Sequence, residues 1–196
     1  LDRSGLNARG FFVVSLHREA NVASADRSAL LVSSLNALAA RYDMPVVVST
    51  HPRTRKRLDA LTDVTVDPRV QYLKPFGFLD YNHLQMAAFC TISDSGTITE
   101  ESSILGFPAI TPRDAIERPE GMDSGAVIMS GLDPDGLVEA VGAATAGHAE
   151  RSGAARHAII PADYQIANTS ERVVNLILST ARQSNSWDGI RVQEPT

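Results

Sequence analysis

Short β-branched and aromatic runs alternate along this chain with longer segments of helical spacing. The runs predict strands at residues 11–15, 45–49, 70–73, 89–93, 108–111 and 126–129. The segments between and after them predict helices at residues 26–42, 52–60, 81–88, 97–105, 133–146 and 168–182. Strands that alternate with helices form a parallel sheet covered on both faces. We therefore predict an α/β, Rossmann-like, three-layer αβα domain with a parallel sheet of about six strands.

Composition limits the partners that such a domain can have. The hydrophobic fraction of 43% is enough for a buried core, and the formal net charge is −5. A nucleic-acid binder would have a basic face, so we expect no nucleic-acid partner. No apolar run approaches the roughly 20 residues of a membrane-spanning helix, so we expect no membrane partner. The single cysteine, Cys90, lies in a predicted buried strand and favours a reducing, cytoplasmic location.

The two ends of the chain differ from its middle. The first ten residues lack an initiator methionine and have the composition of a linker. We interpret residues 1–10 as a linker from a missing N-terminal domain, residues 11–182 as the Rossmann-like domain, and residues 183–196 as a loosely ordered tail. We expect the last helix to pack against the missing domain in the intact protein.

Polar side chains follow several of the predicted strands at the points where they end. His17 and Arg18 follow the first strand, His51 the second, Asp94 the fourth and Arg113 the fifth. Open parallel sheets bind ligands outside the carboxyl ends of their strands. Because scattered surface charge would not collect at one edge, we predict a functional site there.

The segment after the fourth strand has the composition of a phosphate site. The apolar strand leads through Asp94-Ser95-Gly96-Thr97 into a helix. The first amides of a helix lack intrahelical partners, Gly96 permits a ligand to approach the backbone, and Ser95 can donate a hydroxyl. The same segment also fits an ordinary strand-to-helix turn with a hydroxyl cap, so both interpretations stay open.

Two glutamates begin the helix that follows. Thr97 and Glu100 have the spacing of a capping box, which would make Glu100 structural. Glu101 is rotated by about 100° around the helix axis. Its carboxylate could accept from both hydroxyls of a ribose bound at the helix N-terminus, or it could be a plain surface residue.

Histidines and arginines near the same edge leave two interpretations open. A lone histidine is more often structural than catalytic, although His17 and His51 follow neighbouring strands. The five histidines lack ligand spacing, so we expect no metal and no cofactor. Arg113 and Arg118 suit a diphosphate because a guanidinium binds two oxygens at once. They could equally form ion pairs with the acidic residues around Glu117.

Four segments occur in a specific order along the chain. They are His17-Arg18 with Asn21, Asp94-Ser95-Gly96 with Glu100-Glu101, Leu105-Gly106 with Pro108, and Arg113 with Glu117-Arg118-Pro119-Glu120. Between about residue 11 and about residue 131, this order resembles the non-hydrolysing UDP-N-acetylglucosamine 2-epimerases. The resemblance covers only the C-terminal half of such an enzyme. It implies one half of a GT-B fold, the half that binds UDP.

The resemblance also implies a role for each matching residue. Ser95 and Gly96 would hold the diphosphate, Glu101 would take the ribose hydroxyls, and Tyr81 would lie against the uracil. His17 and Arg118 would be catalytic, near the diphosphate and the reacting sugar. The remaining implied substrate contacts are Arg18, Thr97 and Arg113, and the implied supporting residues are Asp94, Glu100 and Glu117.

The family mechanism eliminates UDP to give a 2-acetamidoglucal and adds it back with C2 inverted. The acid/base carboxylates come mostly from the N-terminal half. We therefore expect this chain alone to be close to inactive and monomeric or weakly associated. The implied partners are a UDP-sugar, the protein's own N-terminal domain and, in the full-length protein, a second copy as a homodimer.

The chain departs from the common family pattern in four places. Thr97 replaces a glycine, Ile116 replaces a threonine, and the runs at 17–21 and 50–55 differ. The departures resemble the branch that converts UDP-2-acetamido-2,6-dideoxy-L-talose to UDP-N-acetyl-L-fucosamine. The sequence therefore leaves open which of the two UDP-sugars is the substrate.

Three functions outside the family compete with this interpretation. A retaining GT-B glycosyltransferase would have a pair of glutamates at a spacing that this chain lacks. A non-catalytic nucleotide-binding module would use the same edge of the sheet without the chemistry. A phospho-acceptor domain would use Asp94 at the strand end, but it would also need an acidic pair after the first strand, where His17 and Arg18 stand.

Overall fold

The predicted parallel sheet is confirmed. The structure is a computed structural model that describes residues 5–16, 24–61, 64–151 and 153–183. In these residues the strands are β1 (Phe12–Ser15), β2 (Val46–Ser49), β3 (Val70–Leu73), β4 (Cys90–Ser93), β5 (Ala109–Thr111) and β6 (Val127–Met129). All neighbours pair in parallel, in the order β3-β2-β1-β4-β5-β6. The strand order reverses between β1 and β4, the point at which doubly wound sheets form a ligand crevice.

Helices connect the strands as the alternation predicts. They are α1 (Ala25–Tyr42), α2 (Pro52–Asp59), α3 (Phe78–Ala87), α4 (Ile98–Leu105), α5 (Glu120–Asp123), α6 (Pro134–Glu150), α7 (Gly153–His157) and α8 (Thr169–Thr180). A 3-10 turn covers Ala162–Gln165.

Four helical segments differ from the prediction. Helix α3 begins at Phe78 and not at residue 81, because Gly77 is extended and starts the first turn. Helices α5 and α7 lie where the sequence predicts none, since helices of four and five residues are too short to show a hydrophobic period. Helix α6 extends to Glu150, and its predicted acidic cap is confirmed: Asp133 accepts from the Gly136 amide at 2.9 Å.

Alternate strand residues face two apolar layers. Phe12 and Val14 pack with buried residues of α1 and α6, including Leu35 and Leu137. Val13 packs on the opposite face with Leu84 of α3. Both faces of the sheet are therefore covered by helices. A ligand reaches the sheet at the carboxyl ends of its strands. No helix in the described part of the chain is long and apolar enough to cross a membrane.

The chain divides into two compact units. The first ends at Pro161 and contains the whole sheet, and the second begins at Ala162 and contains α8. Apolar side chains of α8 are exposed, with Leu176 at 62% and Leu178 at 74% of full exposure.

Candidate functional site

The carboxyl ends of the central strands meet at one level. The strand register places Ser15 of β1 beside Ser49 of β2 and beside Ser93 of β4, and all three side chains are buried. The Asp94 amide then donates to the Ser15 carbonyl at 3.2 Å. The loop that leaves β4 therefore begins at the switch point of the sheet.

Hydroxyl groups shape the loop between β4 and α4. The Ser95 amide donates to Ser93 Oγ at 3.2 Å, and the Thr97 amide donates to Ser95 Oγ at 3.4 Å. Gly96 is half-buried between them, and α4 begins one residue after Thr97. The predicted sequence of strand, small turn and helix is therefore present, with the helix N-terminus at the switch point.

The Glu101 carboxylate is held on both of its oxygens. Thr97 Oγ1 donates to Oε1 at 2.7 Å, and Gln85 Nε2 donates to Oε2 at 2.7 Å. The predicted capping box of Thr97 with Glu100 is wrong, because Thr97 makes no side-chain cap bond. Its backbone is helical and not extended, and an N-cap side chain reaches the helix amides from the extended conformation.

Glu100 pairs with a cation from another part of the chain. Its carboxylate forms an ion pair with Arg118, which lies in the loop before α5. Arg118 also lies over Gly96: a Cβ atom at Gly96 would be 3.7 Å from Arg118 Nε. The structure thus brings together Gly96, Glu100 and Arg118 as one charged rim around the start of α4.

Arg113 occupies a more enclosed position than Arg118. Its guanidinium donates to Glu117 Oε1 at 3.1 Å, and only 8% of its side chain is exposed. The neighbouring Asp114 pairs with Arg27 of α1 at 3.0 Å. The ion pair with Glu117 is one of the two alternatives that the sequence left open, whereas contact between Arg113 and substrate stays a prediction.

Tyr81 lies at the same edge with its hydroxyl directed inwards. Its ring packs against the apolar layer that contains Val13 and Leu84. Its hydroxyl lies near the side chains of Ser15, Ser93 and Gln85. Burial raises the pKa of the phenol to about 12, and the nearby side chains only partly offset this. Contact with a base through the ring stays a prediction.

The predictions for Cys90, for Asp94 and for the residues that follow β1 and β2 have different outcomes. Cys90 is fully buried, so its prediction as a core residue is confirmed. Asp94 is fully buried as well, which does not fit an accessible phospho-acceptor. His17 and Arg18 lie outside the described residues, and His51 is exposed after the end of β2.

Gln85 is a site residue that the sequence interpretation did not include. It lies on α3, it is fully buried, and it reaches Glu101 across the boundary between α3 and α4. Its signal in the sequence is a polar residue next to Leu84 in an otherwise apolar stretch. One glutamine in a single sequence carries no indication of its partner, because that partner lies on another helix.

Comparison with known proteins shows similarity to one enzyme family. The sequence model of a family described as "UDP-N-acetylglucosamine 2-epimerase" matches residues 1–178. A UDP-N-acetylglucosamine 2-epimerase of Methanocaldococcus jannaschii is 34% identical over 134 residues, which are 67% of this chain and 37% of that protein. The matched part of this chain therefore spans little more than a third of that relative.

Solved structures of such enzymes have the same fold as this chain, which matches about half of each one. A UDP-N-acetylglucosamine 2-epimerase from Rickettsia bellii superimposes with a TM-score of 0.79 and 37% identity, over 94% of this chain and 48% of that one. The M. jannaschii enzyme in complex with UDP-GlcNAc and UDP superimposes with a TM-score of 0.76 and 28% identity, over 90% and 47% of the two chains.

Proposed function

Because this chain belongs to the UDP-N-acetylglucosamine 2-epimerase family, we propose that it is the UDP-binding half of a nucleotide-sugar 2-epimerase. The observation that carries this proposal is the position of the loop 95–97 and Glu101. Both lie at the switch point of the sheet, beside a helix N-terminus and an arginine. Such a helix terminus favours a phosphate, and a carboxylate beside it accepts from a ribose diol.

The reaction that we propose converts UDP-N-acetylglucosamine to UDP-N-acetylmannosamine. UDP leaves from C1 as a proton leaves C2, and UDP adds back after the proton returns to the opposite face. The C2 proton is weakly acidic, so the reaction needs a positioned base. The departing diphosphate gains negative charge, and the α4 amides with Arg118 and His17 are the groups of this half that would stabilise it.

The rest of the site would come from the protein's own N-terminal domain. We propose that this chain forms one half of a GT-B arrangement, with the substrate in the cleft between the halves. The exposed apolar side chains of α8, such as Leu176 and Leu178, fit a surface that the other domain covers. A cytoplasmic location and a homodimer of the full-length protein belong to the same proposal.

Two particular residues support a different UDP-sugar as the substrate. Thr97 and Ile116 stand where the common pattern has glycine and threonine, as in the branch that acts on UDP-2-acetamido-2,6-dideoxy-L-talose. The inversion at C2 would be the same, and the product would be UDP-N-acetyl-L-fucosamine. Assays of the full-length protein with each UDP-sugar, read by NMR of the C2 proton, decide between the two substrates.

The nucleotide site is tested first, by calorimetric titration of UDP into this chain. We expect Ser95→Ala and Glu101→Ala to weaken binding strongly, because they remove a hydroxyl of the loop that faces the phosphates and the ribose acceptor. Glu139→Ala is the control, since Glu139 is exposed on α6. Binding that both site variants retain would contradict the site, and a parent chain that does not bind UDP would contradict the proposal that this half holds the nucleotide.

A further inference from the structure

The Glu101 carboxylate is fixed by partners from two different helical segments. Gln85 reaches Oε2 from α3, and Thr97 reaches Oε1 from the residue before α4, each at 2.7 Å. A carboxylate oxygen has two lone pairs, so each oxygen can accept one further hydrogen bond. The carboxylate is therefore oriented by the chain and still able to accept from two hydroxyls of a ligand.

The direction of the hydrogen bonds around Thr97 follows from proton counting. An ionised carboxylate only accepts, so the single Thr97 hydroxyl proton points to Glu101. Ser95 Oγ lies 2.9 Å from Thr97 Oγ1, and its proton must therefore point to Thr97. The resulting chain of bonds runs from Ser95 through Thr97 to Glu101, and it links the loop that faces the phosphates to the carboxylate that faces the ribose.

Packing alone does not explain a glutamine at position 85. The side chain is fully buried, and a buried amide lowers the free energy of unfolding unless its polar atoms find partners. Its neighbours in the helix, Leu84 and Ala88, belong to an apolar layer in which an apolar side chain of similar size would fit. The Gln85 side chain does find one such partner in Glu101, since its Nε2 atom donates to Glu101 Oε2 at 2.7 Å.

We propose that Gln85 and Thr97 are positioning residues that hold the Glu101 carboxylate in the orientation that accepts both ribose hydroxyls. This inference rests on the proposed function, in which Glu101 is the ribose acceptor. A free glutamate side chain rotates about several bonds, and ligand binding must then order it. The two donors order it beforehand, so their removal weakens the contacts to the ribose hydroxyls and leaves the contacts to phosphate and base.

The test compares UDP with 2′,3′-dideoxy-UDP in calorimetric titrations of the parent chain, Gln85→Met and Thr97→Val. Both substitutions nearly keep the volume and remove the donor. We expect each variant to bind UDP about tenfold more weakly, the effect of one lost bond to a charged group. The affinity of Gln85→Met for 2′,3′-dideoxy-UDP should stay unchanged. His83→Ala, at an exposed position of α3, is the control.

A double variant separates positioning from a general structural effect. In a Glu101→Ala background, Gln85→Met should have no further effect on UDP affinity, because its target is gone. Equal losses for UDP and the dideoxy compound, or additive losses with Glu101→Ala, would overturn the inference.

A measurement without ligand tests the geometry directly. The Gln85 side-chain amide protons should exchange slowly with solvent in NMR spectra, because one of them is bonded to Glu101 inside the protein. Glu101→Ala should shift these signals and speed their exchange, whereas His83→Ala should not. Signals that do not respond to Glu101→Ala would overturn the inference, whatever the nucleotide affinity.

The two proposals fail in distinguishable ways. A parent chain that binds UDP and 2′,3′-dideoxy-UDP equally would contradict the role of Glu101 in the proposed function, and the positioning of Glu101 for ribose would fall with it. A parent chain that prefers UDP, with variants that keep the same preference, would leave the proposed function intact and overturn only the role of Gln85 and Thr97.

Discussion

Gly96 lies beneath the Arg118 side chain, so that a Cβ atom at Gly96 would be 3.7 Å from Arg118 Nε. The same guanidinium pairs with Glu100 in the first turn of α4. The arginine is therefore held over the one residue of the loop that has no side chain. A helix N-terminus and a fixed guanidinium both favour an anion, and here they occupy the same position.

Loss of the Arg118 guanidinium should weaken nucleotide binding. We expect Arg118→Met to reduce the affinity for UDP about tenfold, because a charge-assisted contact to the diphosphate disappears. Arg118→Lys should give a smaller loss, since it keeps the charge but not the planar fork. Calorimetric titration measures both, with the exposed Arg41→Met as the control. An unchanged affinity in Arg118→Met would place the diphosphate elsewhere.

The fold was predictable because its strands are short, apolar and separated by helical spacing. Runs such as 45–49 and 89–93 become β2 and β4 almost to the residue. The acidic cap at Asp133 was also visible, since a cap acts over a few neighbouring residues. The short helix α5 was not, because its four residues contain no full hydrophobic period.

The sequence predicted where the candidate site residues lie in the fold, but not which side chains they pair with. The rule that ligands lie at carboxyl ends of strands selected Ser95 and Glu101, which the structure brings to the switch point. The partner of Glu100 is Arg118, and it was missed because the local capping pattern suggested Thr97 instead. Contacts between residues far apart in sequence depend on the packing of whole elements, which a sequence window does not contain.

Asp67 should make the stability of the fold depend on pH in the acid range. The side chain and the amide of Arg69 donate to its carboxylate, and they hold its pKa at about 2, below the ordinary value of 3.8. A lowered pKa stabilises the fold above the ordinary value, and this stabilisation is lost as pH falls through the folded-state value.

The measurement is urea unfolding of the parent chain and of Asp67→Asn between pH 7 and pH 2. We expect the parent to have the higher free energy of unfolding at neutral pH and the difference to shrink as pH falls from about 4 to about 2. Asp43→Asn is the control, because Asp43 pairs with the same Arg69 from an exposed position. A difference that is independent of pH would contradict the prediction.

Gly121 of α5 lies directly against Thr99 of α4. A Cβ atom at Gly121 would lie 2.0 Å from Thr99 Cγ2, which no packed structure accommodates. We expect Gly121→Ala to lower the free energy of unfolding by about 1–3 kcal/mol, the usual cost of overpacking. Urea unfolding measures the loss.

Two further variants show whether this contact is the cause. Thr99→Ser removes the clashing methyl group, so the double variant with Gly121→Ala should recover most of the lost stability. Gly142→Ala in α6 is the control, since in the described part of the chain its Cβ atom would meet only Tyr42 Oη, at 3.7 Å. This control should be neutral or stabilising by about 0.5–1 kcal/mol. Equal losses at Gly121 and Gly142 would show that the backbone, and not the Thr99 contact, is responsible.

Cys90 should be inert in the folded chain. Its side chain is fully buried in the apolar layer under α1 and α6, and burial raises the pKa of its thiol to about 12. Thiol reagents react with the thiolate and need access to it, so both conditions fail in the folded state. We expect no reaction with an aromatic disulfide reagent at pH 8 over the time in which the urea-unfolded chain reacts fully. Complete labelling of the folded chain at the rate of the unfolded one would show that β4 opens readily, which would also contradict its place at the centre of the sheet.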